Sequence, residues 1–167
     1  LIQDQVQASL IFTLTSYMNL IGMRQDPDKD FRWFVFGDHG IAAYSNGVMV
    51  SQKLARDNPT AVRGLVSAVN RAMKETLANP TAAMAPMTKV EPLFNQALEA
   101  RRVDYAAKTA IVTPEVRTLG FGDVDDARMT RAIAQIVDVF QLPRAPAPSE
   151  VFNRSFLPPA AERAAGA

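Results

Sequence analysis

The sequence predicts an α/β chain, helix-rich with about three strands. Three observations carry this. Apolar runs rich in strand formers lie within the first 51 residues, at 6–14 (VQASLIFTL), 31–37 (FRWFVFG) and 46–51 (NGVMVS). Apolar residues at helical spacing dominate thereafter. Helix-start signals, Asn-Pro twice and Thr-Pro once, punctuate the second part.

Taken in order, the run 6–14 reads as a buried strand. Thr15 or Ser16 is placed to cap a short helix carrying Tyr17, Met18, Leu20 and Ile21, stopped near Gly22. A loop with turn chemistry at Asp26-Pro27-Asp28 follows. Then come the second and third strands, with Trp33 expected in the core. Asn58-Pro59 opens a long helix whose stripe is Val62, Leu65, Val66, Val69, Met73 and Leu77, and Asn79-Pro80 opens a shorter one. A further helix is predicted from about Pro92 to Thr109, and a short one from Thr113-Pro114 to Gly120. The last clear helix has Asp125 as cap, Val124 as staple residue, and Met129, Ile133, Ile136, Val137 and Phe140 as its buried stripe. The segment 151–159 (VFNRSFLPP) carries three large apolar side chains and predicts a tail docked on the body. Three strands are too few to form a sheet that so many helices can cover.

Composition narrows the chemistry. The 167 residues carry a formal net charge of +1, with 48% hydrophobic and 21% charged residues, so no nucleic-acid partner is expected. The adjacent Arg101-Arg102 reads as a solvated helix face. There is no cysteine, which excludes disulfides, thiolate metal sites and cysteine nucleophiles. His39 is the single histidine, so a histidine-rich metal site is excluded, and no nucleophile motif accompanies it. No catalytic residue, metal or cofactor is expected. Leu1-Ile2-Gln3-Asp4 has neither an initiator methionine nor the regions of a signal peptide, and is expected to be the interior of a longer chain. The GFGD segment at 120–123 lacks the strand before it and the Lys-Ser/Thr after it that a phosphate loop needs. The seven methionines read as core fillers.

The order of motifs adds a resemblance. Tyr44, Asn46 and Gly47 are followed by Ser51 and Lys53, then by Asn58, Pro59, Val62 and Arg63, and by Ala78, Asn79, Pro80 and Ala83. Gly120, Gly122, Asp125, Arg128 and Met129 come later, and Phe156, Leu157 and Pro158 close the series. This resembles the C-terminal half of periplasmic substrate-binding proteins of ABC importers. Within them it is similar to the thiamine-pyrimidine-synthase-like branch that includes thiamine-pyrimidine-precursor, sulfonate and taurine binders. The resemblance implies a two-lobed periplasmic-binding-protein fold (type II) with ligand at the hinge. Residues 1–43 would end the second lobe. Residues 44–167 would return across the hinge as helices of the first lobe, whose N-terminal part is absent. It also implies a periplasmic or extracytoplasmic location, a small-molecule ligand and an ABC permease partner. An enzyme branch of the same family, with a cysteine-rich iron motif and a histidine used as substrate, is the alternative. A helical interaction domain is a third reading.

Seven residues are expected at the ligand. Thr13, Thr15, Ser16 and Tyr17 lie where a strand would hand over to a helix N-terminus, which offers free N–H groups and partial positive charge. Ordinary capping accounts equally for the hydroxyls. Asp38 could accept from an aminopyrimidine or could bond its own turn. Tyr44 and Asn46 flank the proposed hinge, and Asn46 suits a turn as well as a ligand. Exposed apolar helix faces would make the chain self-associate.

Overall fold

The computed structural model describes residues 1–3, 5–41, 43–165. Asp4, part of the N-terminal stretch discussed above, lies outside them. Among the described residues there is no strand and no sheet, only helices and their connections. The expectation of an α/β fold with three strands is therefore overturned. A strand exists only through its neighbour's hydrogen bonds, and no backbone–backbone hydrogen bond engages residues 6–11, 31–34 or 45–50. Thr13 and Leu14, taken as the end of the first strand, instead open a helix. Phe36–His39, at the end of the second, forms a single 3₁₀ turn closed by Gly40 at φ +85°.

The helices are α1 (Thr13–Gly22), α2 (Gln52–Asp57), α3 (Pro59–Ala78), α4 (Pro80–Met84), α5 (Gln96–Ala106), α6 (Pro114–Leu119), α7 (Asp126–Phe140), α8 (Pro148–Val151) and α9 (Ala160–Arg163). Local chemistry sets most of their starts. Asn58, Asn79 and Asn95 each accept a backbone N–H three residues on, at 3.1, 3.0 and 3.1 Å. Thr113 and Asp125 do the same for α6 and α7. Helix α5 starts at its Asn95 cap, later than Pro92, and runs on through a π turn at Ala107–Ile111. Helix α1 starts on Phe12, which offers no side-chain cap, so neither Thr15 nor Ser16 caps it.

Helix α5 packs against α1, α4 and α3, while α8 lies on α7 and the 3₁₀ turn Arg154–Phe156 lies on α3. The core is small. Val124, Met129 and Ile133 form its centre with Tyr44, Val137 and Phe152 around them. Val124 sits at the staple position the sequence assigned it, against Met129 of the predicted stripe. The stripe of α7, however, is covered only in part: Val137 packs on the core, but Ile136 and Phe140 are 47% and 70% exposed. Of the methionines, Met18 and Met129 are buried, but Met23, Met49, Met73 and Met87 are exposed, so the core-filler reading fails for those four.

The C-terminal tail is docked, as its apolar residues predicted. Phe121 N donates to Arg163 O at 2.7 Å, Lys74 Nζ to Glu162 O at 2.8 Å, and Asn70 Nδ2 to Phe121 O at 3.1 Å. Gly120 allows this approach. It holds φ +84°, and a Cβ there would lie 2.9 Å from Arg163 O.

Candidate functional site

The hydroxyls of α1 that are bonded find partners in their own turn and in the loop that follows the helix. Thr15 Oγ1 donates back to Phe12 O at 3.1 Å. Tyr17 donates to Asp28 Oδ2 at 2.7 Å and stacks on Tyr105, with centroids 4.3 Å apart and planes 12° from parallel. Trp33 closes the cluster 6.0 Å from Tyr17 and donates its indole N–H to Pro27 O. Trp33 is half-buried here and not in the central core. The hydrogen bond to Asp28, helped by burial and by the carboxylate's charge, pushes the Tyr17 phenol up to about 12. Thr13 and Ser16 are half-buried along the same helix.

Arg102, read from sequence as a solvated cation, ties this region together. Its guanidinium grips Glu99 at 2.7 and 2.9 Å and donates to Leu14 O, Thr15 O and Asn19 Oδ1. The hydrogen bond from Arg102 is the main reason that the Glu99 carboxyl lies below its usual range.

Tyr44 does the corresponding work at α6 and α7. Its hydroxyl donates to Glu115 Oε1 at 2.5 Å and accepts from Asp125 N at 2.8 Å. Arg128 lies over its ring at 4.1 Å, bonds Glu115 Oε2 at 3.1 Å, and donates to Ala43 O. Burial first, then the Glu115 hydrogen bond, raises the Tyr44 phenol above its ordinary value. The segment that expectation made a hinge is thus clamped onto α6 and α7 by one phenol. Asp38 sits exposed in the 3₁₀ turn, which Gln135 holds to α7 through Gly40 O at 2.7 Å. His39 is exposed beside Phe34, and Asn46 is exposed.

The structure sorts six of the seven residues into two groups and leaves Asn46 exposed outside both. Thr13, Thr15, Ser16 and Tyr17 lie along the α1–α5 contact. Tyr44 and the turn bearing Asp38 lie against α7. Among the described residues are a hollow of about 360 Å³ and another of about 410 Å³. Pro114, Glu115, Thr118, Leu119 and Asp125 line the first. The second lies between α3 and the tail, beside Asn70 and Lys74. None of the seven residues lines either, although Tyr44 bridges two residues of the first. Glu115 and Arg128, the partners of Tyr44, were not singled out as site residues. An acidic residue in the first turn of a Thr-Pro helix was the available signal, and it reads first as dipole complementation.

Asp123 was also missed, in the GFGD segment. It receives Arg154 Nε at 2.8 Å and pairs with Arg163 Nη2 at 2.9 Å. Burial alone would push its carboxyl up, but the hydrogen bonds from Arg154 and Val124 N–H and the two positive charges outweigh it and hold the group below its ordinary value. That segment fastens the tail. Among the described residues no cluster of His, Asp or Glu could hold a metal ion, and no helix is long and apolar enough to cross a membrane.

Residues 1–83 match the NMT1/THI5-like family model. This NMT1/THI5-like stretch spans just under half of the chain and ends inside α4. It supports the substrate-binding family at a coarse level, since that family includes periplasmic substrate-binding proteins and, in its THI5 members, synthases. No curated protein and no solved structure matches the chain.

Proposed function

We propose that this chain serves solute capture for an ABC importer outside the cytoplasm, forming part of a protein that holds a small polar or aromatic-polar molecule and delivers it to a membrane permease. The observation that carries this reading is the NMT1/THI5-like match over residues 1–83. The chemistry asked of the chain is binding without covalent change, with specificity set by polar groups satisfied only by the right ligand. The hollow beside Glu115 and Asp125 supports the reading. It offers carboxylate acceptors for an amine or ring N–H next to a clamped aromatic.

The test is native mass spectrometry of the purified chain with an aminopyrimidine and with taurine as separate probes. A one-to-one adduct with either, abolished by Glu115→Gln for the aminopyrimidine, is the expected result. No adduct with either probe at millimolar concentration removes the solute-binding reading from this chain. An iron requirement of the full-length protein would instead place it with the synthases.

A further inference from the structure

The hollow of about 410 Å³ shares no lining residue with the one beside Glu115. Its volume falls in the range of small-molecule sites, about 300–1,000 Å³. One wall is a single face of α3, where Ser67, Asn70, Arg71 and Lys74 follow at helical spacing. The other wall is the docked tail, through Pro158 and Glu162. Lys74 Nζ, donating to Glu162 O at 2.8 Å, ties the two walls together. Asn70 is what sets this hollow apart. It is only 7% exposed, and its Nδ2 donates to Phe121 O at 3.1 Å. A carbonyl oxygen can only accept, so that bond fixes which end of the carboxamide is which. The other end, Oδ1, is a buried acceptor that no donor among the described residues reaches. Leaving such an atom empty is costly, so an N–H or O–H belongs there.

We propose that this hollow binds a free α-amino acid with a small side chain, its ammonium N–H donating to Asn70 Oδ1 and its carboxylate accepting from Lys74. Charge selects that ligand class. The lining carries two cations, Arg71 and Lys74, and two carboxylates, Glu75 and Glu162. Arg71 and Glu75 are loosely paired at 3.7 Å, whereas Lys74 bonds a neutral carbonyl and keeps its charge for an anion. A phosphate or a dicarboxylate would face Glu75 and Glu162, and a polyamine would face Arg71 and Lys74. A zwitterion, with one charge of each sign, meets both sets. Pro158 is the one apolar side chain of the lining, so a large apolar side chain finds no cover there. This site goes beyond the solute-capture reading, which concerns the hollow beside Glu115, and does not rest on it.

The test is an amide NMR titration of the purified full chain with L-alanine and with its N-trimethyl betaine, which keeps both charges and lacks every N–H. The expected result is saturable shifts at the Asn70 side chain and along residues 67–75 with L-alanine at millimolar concentration. The betaine, unable to donate to Oδ1, binds weaker by about ten-fold or more. Lys74→Gln keeps a donor for Glu162 O and removes the charge, and weakens L-alanine by about ten-fold or more while circular dichroism shows the helices unchanged. The two-ligand comparison needs no variant, so it decides the matter even if Lys74→Gln fails to fold. Absence of a saturable shift along residues 67–75 overturns the proposal. So does an equal response to the betaine, an affinity indifferent to Lys74→Gln in the folded variant, or shifts confined to the hollow beside Glu115.

Discussion

Removing one oxygen atom from Tyr44 separates a structural clamp from a ligand contact. Tyr44→Phe keeps the ring, its packing on Val124, Met129 and Ile133, and the Arg128 guanidinium above it. It deletes the bond to Glu115 and strips Asp125 N of its acceptor. A hydrogen bond to a charged group contributes about 1.5–3 kcal/mol net, and an orphaned buried donor costs about 1–3 kcal/mol. Both figures are reduced here, because Glu115 keeps Arg128 and its side chain is 23% exposed, so water recovers part of the loss. The expected destabilisation is about 2 kcal/mol. Urea unfolding followed by circular dichroism reads it as a lower midpoint at unchanged slope. A loss under about 0.5 kcal/mol, within the range of ordinary surface substitutions, would sink the clamp argument. If ligand affinity fell while stability held, Tyr44 would be a cleft residue whose hydroxyl is free.

Three further predictions test the rest of the fold. Asp123→Asn removes a carboxylate shared by Arg154 and Arg163 and costs about 3 kcal/mol at neutral pH, at the low end for a largely buried pair because Arg154 is 40% exposed. Because the folded carboxyl lies below its unfolded value of 3.8, its contribution is full above that pH and fades as pH falls through the folded value. Acid titration of unfolding should therefore show wild type and variant converging below pH 3.8, and a constant gap there refutes the pairing. All three tyrosines have raised phenols, with Tyr17 at about 12. Phenolate absorbance of the folded chain should thus stay low through pH 10, and the stability tied to Tyr17 should be lost as pH climbs from 10 towards 12. A tyrosine titrating at 10 in the native protein contradicts the placement of at least one ring. Gly120→Ala forces a Cβ to 2.9 Å from Arg163 O at φ +84° and should lower stability by about 1–3 kcal/mol in thermal unfolding. An unchanged midpoint would mean that the tail does not lie against Gly120.

What could be read from sequence and what could not divides by distance along the chain. Asn58, Asn79, Thr113 and Asp125 each act on a backbone N–H three residues away, so the residue and its partner are visible in one window. The strand expectation failed at the opposite limit. Val, Ile and Phe at 6–14 and 31–37 are compatible with a pleated, buried surface, but composition cannot supply the neighbouring strand whose hydrogen bonds define one. The apolar stripe of α7 was placed on the right residues, and its burial was overstated at Ile136 and Phe140, because a periodic pattern says which face is apolar and not what lies opposite.

The site residues show the same division in its sharpest form. Hydroxyls and aromatics were chosen because they can hold a ligand, and in the structure Tyr17 and Tyr44 each present a ring and a phenol to partners within the chain. The partners are Asp28 and Tyr105 for one, and Glu115, Asp125 and Arg128 for the other. An amphipathic ring with one polar atom serves a cleft and a helix junction by the same interactions, burial of the face and one hydrogen bond at the tip. A single sequence cannot separate those uses, since most of these partners lie 71 to 88 residues away from the group they satisfy. For Tyr17 the structure sets its ring against Tyr105 at stacking distance. A solute would reach that face only if α1 and α5 parted, which would also break the Arg102 bonds to Leu14 O and Thr15 O. Tyr44 is different, because two of its partners, Glu115 and Asp125, line a hollow. Tyr44 could therefore sense a molecule in that hollow without the helices separating, through Glu115.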